Sequence, residues 1–145
     1  MKISTRGKNA LKFMLDLATY SRGQPVRLKD IARRQHISEK YLEQIVSGIQ
    51  KAALVQSLRG KNGGYTLRYP PEEYTVGQIL KAVEGNMSPT ECVGENGIAC
   101  ENKETCVNYK VWERLDAAIN SVLEEITLKD MLEWQYGLLI DQYVI

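Results

Sequence analysis

Every cysteine of the chain lies in one fifteen-residue stretch, CVGENGIACENKETC, as Cys92, Cys100 and Cys106. Three thiols are an odd number for disulfides and one short of a closed zinc cage. The spacing, seven residues and then five, also lacks the close Cys pairs that structural zinc sites usually employ. Thiolates are natural ligands of iron-sulfur clusters, which need about four protein anchors, and clustered thiols also serve as redox switches. On residue types alone, iron-sulfur, zinc and metal-free thiol chemistry all stay open. Catalysis fits poorly: the chain has one histidine, His36, no paired acid–base constellation and no phosphate-binding glycine loop leading into a helix.

The elements that must position these thiols divide by charge. Residues 1–70 carry 14 Lys and Arg against 4 Asp and Glu, a balance of +10; residues 71–145 carry 5 against 14, a balance of −9, and the sum is the overall +1. A cationic front end joined to an acidic back end suits nucleic-acid binding at one end and other work at the other. With 145 residues, 43% hydrophobic and 26% charged, one core and a small second lobe are expected. The N-terminus does not read as a signal peptide and no apolar run has membrane-spanning length. A soluble cytoplasmic protein with no membrane partner is therefore expected, in a compartment where disulfides are disfavoured.

Leu11, Met14, Leu15 and Ala18 recur at helical spacing after Thr5, which can cap, and Gly23 with Pro25 ends the run. Leu28, Ile31 and Ala32 form a short second face. The segment Gln35-His36-Ile37 is a turn, and Ser38 caps a third run bearing Leu42, Ile45, Val46 and Ile49. Two short helices joined by a tight turn make a helix-turn-helix candidate. Leu54 to Leu58 alternates like a strand, Arg59-Gly60-Lys61-Asn62-Gly63-Gly64 is a turn, and Tyr65-Thr66-Leu67 alternates again. A helix-turn-helix followed by a hairpin is a winged helix, and packing gives no reason for Arg59 and Lys61 at its tip.

Pro70-Pro71 closes this module. Thr75 with Gln78 makes a capping box for a helix facing inward through Val76, Ile79, Leu80 and Val83, with Gly85 as its stop. Asn86 to Thr105 is a polar loop holding the cysteines. From about Val107, the residues Val111, Leu115, Ala118, Ile119, Val122 and Ile126 form one apolar stripe. The small N-terminal core cannot cover it, so a partner helix in a homodimer is expected. Asp130 to Ile145 receives no task beyond packing.

The runs Ser38-Glu39-Lys40-Tyr41-Leu42-Glu43-Gln44 and Leu54 through Arg59-Gly60 to Gly63-Gly64-Tyr65, followed by Cys92, Cys100, Cys106 and a long helix, resemble the bacterial winged-helix regulators typified by the iron-sulfur cluster regulator IscR. The nitric-oxide sensor NsrR and the cysteine-metabolism repressor CymR belong to the same family. The resemblance runs from Met1-Lys2-Ile3-Ser4-Thr5 to Ile126-Thr127-Leu128. It implies a homodimer crossing its long helices, with Ser38, Lys40, Tyr41, Glu43 and Gln44 facing the major groove of a double-stranded DNA operator and Arg59 entering the minor groove. The chemistry agrees, since Gln can bond adenine, Glu can accept from cytosine, and Arg suits a narrow minor groove.

The resemblance also implies an iron-sulfur cluster on Cys92, Cys100 and Cys106, of the 2Fe-2S type with 4Fe-4S as the alternative, and control of genes for cluster biogenesis. Members binding 2Fe-2S commonly place His three residues after the last cysteine, where this chain has Tyr109; another member uses a carboxylate where this chain has Lys8. The family also often places five residues between the first two cysteines instead of seven. A fourth ligand then has to come from Glu91, Glu95, Glu101 or Glu104, or from a partner's residue such as Glu43, with His36 a surface turn residue. The expected architecture is mainly α: a winged helix-turn-helix DNA-binding region over 1–70, a supporting helix and cluster loop over 71–107, and a dimerisation helix with tail over 108–145. The competing reading keeps the fold and removes the metal, leaving a repressor controlled by its thiols or by a partner protein.

Overall fold

A helix formed by Thr5–Tyr20 (α1) runs through the centre of the computed structural model, which describes residues 2–95, 97 and 100–143. Met1, at the start of the family resemblance, and Val144 and Ile145, at the end of the third region, lie outside the described residues. The other elements are α2 (Leu28–Gln35), α3 (Glu39–Lys51), β1 (Val55–Leu58), β2 (Gly64–Leu67), a 3-10 turn (Pro71–Glu73), α4 (Val76–Glu84), α5 (Val107–Glu125) and α6 (Leu128–Tyr143). The expected mainly helical winged helix-turn-helix is present.

The cap of α1 is Ser4 and not Thr5. Ser4 stays extended while its hydroxyl accepts from the Gly7 N–H at 3.2 Å, so Thr5 is already the first helical residue. Ala10, Phe13, Met14 and Leu17 are fully buried, and Leu11, Leu15 and Ala18 are partly buried against the same core. Burial extends beyond the expected Leu11, Met14, Leu15 and Ala18 to Ala10, Phe13 and Leu17, because α2, α3, α4 and α6 all pack around this helix. Asp16 is buried within it. Arg34 donates to both carboxylate oxygens of Asp16, from Nε at 3.0 Å and Nη2 at 2.7 Å, and Gln35 Nε2 adds a third bond at 2.9 Å. The hydrogen bond to Asp16 holds the Arg34 guanidinium above its ordinary pKa, and its central carbon lies over the Tyr20 ring, 4.0 Å from the ring centre. These contacts fix α2 on α1.

The turn into α3 works because His36 adopts left-handed geometry, φ 55° and ψ 43°, closing α2. The Ser38 hydroxyl then accepts from the Tyr41 N–H at 3.2 Å. Strands β1 and β2 pair antiparallel from Val55↔Leu67 to Leu58↔Gly64. Val26 extends this sheet, exchanging bonds with Tyr65 at 2.9 and 2.8 Å. The Tyr74 hydroxyl donates to the Leu54 carbonyl at 2.6 Å and accepts from the Arg68 and Tyr69 N–H groups. It thus joins the outer ends of the hairpin, and burial raises its pKa above the ordinary phenol value.

The Thr75–Gln78 capping box opens α4 as expected. The end of α5 is fixed to the body: the Val76 N–H donates to the Ile126 carbonyl at 2.8 Å, and the Leu128 N–H to the Tyr74 carbonyl at 2.9 Å. The C-terminal stretch is a helix that begins with reciprocal bonds between Thr127 and Asp130. Hydrogen bonds from Thr127 lower the Asp130 pKa. Leu128, Met131 and Gln135 face α1 or the core, with Gln135 Nε2 reaching Thr19 Oγ1 at 3.0 Å. Trp134, Tyr136, Leu138, Leu139, Ile140 and Tyr143 are exposed, which is why no clean helical period marks this segment.

Replacing Arg34 by Ala leaves Asp16 buried with Gln35 alone, and should lower unfolding free energy by about 2–4 kcal/mol in urea titrations. Arg33→Ala, which removes only the exposed pair with Asp30, should change it by less than about 0.5 kcal/mol. Equal effects would remove the buried pair from the account.

Candidate functional site

Helix α3 buries Leu42, Ile45, Val46 and Ile49, and this choice of inner face leaves Ser38, Lys40, Glu43 and Gln44 exposed. Tyr41 is half-buried and packs on the core, so part of its role is structural. Arg59 and Lys61 are exposed at the hairpin tip. The tip is a tight turn closed by the Gly63 N–H on the Gly60 carbonyl at 3.0 Å. Gly60 needs its positive φ of 114°, and a side chain at Gly63 would strike the Leu58 carbonyl.

Two grooves run along α3. One separates it from the hairpin and is lined by Arg27, Lys29, Glu39, Glu43, Arg59 and Lys61. The other, toward α1 and α4, is lined by Arg6, Glu43, Gln44, Ser47 and Lys51. Glu43 borders both. Among the described residues, the salt bridges are Arg33–Asp30, Arg34–Asp16 and Lys81–Glu95, so the groove cations carry no carboxylate partner. A protruding helix between two cationic troughs has the charge pattern of a reader of duplex grooves flanked by phosphates. Sequence reasoning missed Arg6, Arg27 and Lys29, which only the fold brings beside α3, and Lys51, the last residue of α3 itself. One signal was available: Gln44, Ser47 and Lys51 fall at i, i+3 and i+7, one helical face.

The cysteine loop is anchored at its start. Gly85 leaves α4 with φ 75°, Met87 packs with Val76, Leu80 and Leu123, and Val93 is buried. Cys92 and Cys100 are exposed, Cys106 is half-buried, and none is in a disulfide. The Cys106 N–H donates to the Asn102 carbonyl at 2.8 Å, and Cys106 is the N-cap residue of α5. The three cysteines are not brought together: among the described residues, no three His, Cys, Asp or Glu side chains gather as a metal site. In type, the donor set still fits an iron-sulfur cluster, with three free thiols on one turn-rich segment, and it falls one ligand short.

Tyr109, at the position of the missing histidine, is half-buried with the Lys103 ammonium 5.0 Å from its ring centre. A hydrogen bond with the Tyr109 side chain raises the Lys103 pKa. His36 is exposed between α2 and α3, and Lys8 is exposed on α1. Of the loop carboxylates, Glu95 approaches Lys81 at 3.9 Å, an exposed pair, and Glu91, Glu101 and Glu104 are exposed.

On α5, only Leu123 is buried, against Gly77 and the cluster around Val76 and Leu80. Leu123 lies outside the expected stripe, although its spacing from Ile119 and Ile126 marks the same face. Val107, Val111, Leu115 and Val122 are exposed by 78, 49, 43 and 53%. Scattered exposed apolar residues are ordinary; a row along one helix is an unfinished contact.

Residues 3–134 match the family model of Rrf2, described as an iron-dependent transcriptional regulator. The HTH-type transcriptional regulator IscR of Aliivibrio salmonicida is 39% identical over 132 residues, 91% of this chain and 77% of that one. The structure of CymR, the global cysteine regulator of B. subtilis, superimposes with a TM-score of 0.77 at 39% identity, covering 92% of this chain and 98% of the other. That of T. potens IscR gives 0.74 at 39%, covering 92% and 87%. No described helix is long and apolar enough to cross a membrane.

The loop geometry predicts the order of thiol reactivity. In reduced, metal-free protein, mass-resolved alkylation should label Cys92 and Cys100 several-fold faster than Cys106. Equal rates at all three would mean that Cys106 is not sheltered at the start of α5.

Proposed function

The chain belongs to the Rrf2 family and is a transcription regulator, not an enzyme, and from that premise we propose that it acts as a homodimer whose grip on a DNA operator is adjusted by an iron-sulfur cluster. The observation that carries the reading is the exposed face of α3 between two cationic grooves, with the thiol-bearing loop placed between α4 and α5. Ser38, Lys40, Glu43 and Gln44 would meet base edges in the major groove with Tyr41 at their margin, while Arg59 and Lys61 would meet the minor groove and phosphates. Glu43 is a poor phosphate neighbour, so a base contact or discrimination against wrong sequences is its better role. Residues 1–70, 71–107 and 108–145 then act as the reading, sensing and pairing regions.

The exposed row Val107, Val111, Leu115 and Val122 suits burial against the same row of a second copy, an isologous contact that would present two α3 helices to two half-sites. Cys92, Cys100 and Cys106 would hold the cluster, which when bound supplies cross-links among three points of a polar loop; we favour 2Fe-2S, and a carboxylate is the remaining candidate for the fourth ligand. The mechanical consequence follows from the anchors of this chain. The end of α5 is fixed through Ile126 and Leu128, whereas its first turn hangs from the cysteine loop. Gathering the thiols therefore sets where the Val107 end of the pairing face lies, and with it the separation of the two α3 helices. Coupling of about 1–3 kcal/mol would change operator affinity about 5- to 150-fold. The genes served, on this reading, are those for iron-sulfur cluster assembly.

A second reading is favoured by the exposure of the free Cys92 and Cys100 and by the absence of a three-ligand cluster among the described residues: the same dimer without metal, controlled by thiol oxidation or a partner protein. Anaerobic purification decides between them. The first predicts coloured protein with bound iron and sulfide, loss of both in Cys100→Ala, and operator affinities that differ between loaded and metal-free protein at fixed salt. Colourless protein without iron, or affinity indifferent to loading, rules it out. For the pairing face, Leu115→Glu should halve the mass in sedimentation equilibrium; an unchanged dimer would place the contact elsewhere.

A further inference from the structure

The strands and the tip of the hairpin are held by different means. The open end is tied by the Tyr74 hydroxyl to Leu54, Arg68 and Tyr69, and next to the turn Val26 and Tyr65 exchange two backbone bonds, with Gly64 so close that a Cβ there would strike the Val26 carbonyl. The tip, Arg59 to Gly63, has as its own backbone closure only the bond from Gly63 to Gly60 among the described residues. Arg27 is the residue immediately after the Val26 bridge and the N-cap of α2, with extended backbone and no capping bond from its side chain. That leaves the guanidinium free to reach outward. Its Nη2 donates to the Lys61 carbonyl at 2.6 Å, across 34 positions of sequence.

We propose that Arg27 is a positioning residue for DNA reading: it clips the hairpin tip to the start of α2 and so sets where Arg59 and Lys61 stand relative to α3. The inference rests on the DNA-binding reading given above. The turn from Arg59 to Gly63 projects beyond the last residues tied to the body, Gly64 and Tyr65, so the freedom the hairpin keeps lies at its tip, where minor-groove reading would take place. One bond from the rigid start of α2 to the tip removes this freedom before DNA arrives, and a preorganised contact loses less entropy on binding. Lys61 serves the clip through its main-chain carbonyl, so its ammonium stays available. Arg27 also lines the groove between α3 and the hairpin, which makes direct phosphate contact the rival role.

The two roles differ in measurement. The full dimer would be titrated with its selected operator, with duplexes altered under α3 and with duplexes altered at the base pairs whose preference Arg59→Ala abolishes, each over a series of salt concentrations. Arg27→Ala is expected to reduce discrimination at the Arg59-dependent pairs about 3- to 10-fold. It should leave discrimination under α3 and the logarithmic salt slope unchanged, and speed amide exchange across Lys61 to Gly63. A slope shallower by about 0.9, with equal loss on every duplex, would make Arg27 a phosphate contact and overturn the proposal. Unchanged discrimination and exchange would overturn it as well. Wild-type protein without salt-sensitive duplex binding would instead refute the DNA-binding reading itself, a separate failure seen before any variant is made.

Discussion

Unneutralised positive charge on either side of α3 is the constraint around which the rest of the molecule is arranged. Residues 1–70 contain 4 acids. Asp16 and Asp30 are taken by Arg34 and Arg33, which leaves Glu39 and Glu43 as the acids beside the grooves. The fold could have cancelled its two halves against each other, and it does not: among the described residues no salt bridge joins a cation of the first half to an acid of the second. Concentrated like charge disfavours the compact state. It persists here because the pieces bearing it are tied down by other means, α2 through the buried Asp16 and the hairpin through Val26, Tyr74 and Arg27. Rigid placement of repelling cations is what an anionic rod of fixed groove width rewards.

The second unfinished surface is apolar, and the cysteine loop lies next to it. Helix α5 spends Leu123 on its own body and leaves Val107, Val111, Leu115 and Val122 without cover. Its far end is bonded to the backbone of Val76 and Tyr74, while Cys106 occupies the N-cap position at its near end. Whatever draws the three thiols together acts on the start of a helix whose other end cannot follow. In the proposed dimer, a small rearrangement in this polar loop would become a change of angle between protomers, because packed elements pivot more readily than they deform.

Much of this was legible in the sequence because the signals were local. The Ser38 cap, the Thr75–Gln78 box and the glycine-rich turn after Arg59 each lie within a few residues of the structure they specify, and each appears where expected. Ser4 and Thr5 have the same capping chemistry one residue apart, and only backbone geometry separates them. Helix α6 was illegible because just its first turns are packed, so Leu138, Leu139 and Ile140 follow no burial period. The flanking cations Arg6, Arg27 and Lys29 lie outside α3, and no short-range pattern ties them to it, whereas Lys51 sits on α3 itself. The three thiols were obvious as a set, yet the sequence implies a gathering that the described loop does not make; ligands on a polar segment lack the apolar contacts that would bring them together without a bound ion.

The central claim is that α3 and the hairpin grip a duplex through charge and shape, and its most direct test is the equilibrium binding of purified protein to a DNA duplex at increasing sodium chloride. The account predicts that log K falls linearly with log salt, with a slope of about −4 or steeper, as several phosphates are neutralised. Binding that is absent, or that does not respond to salt, would contradict it.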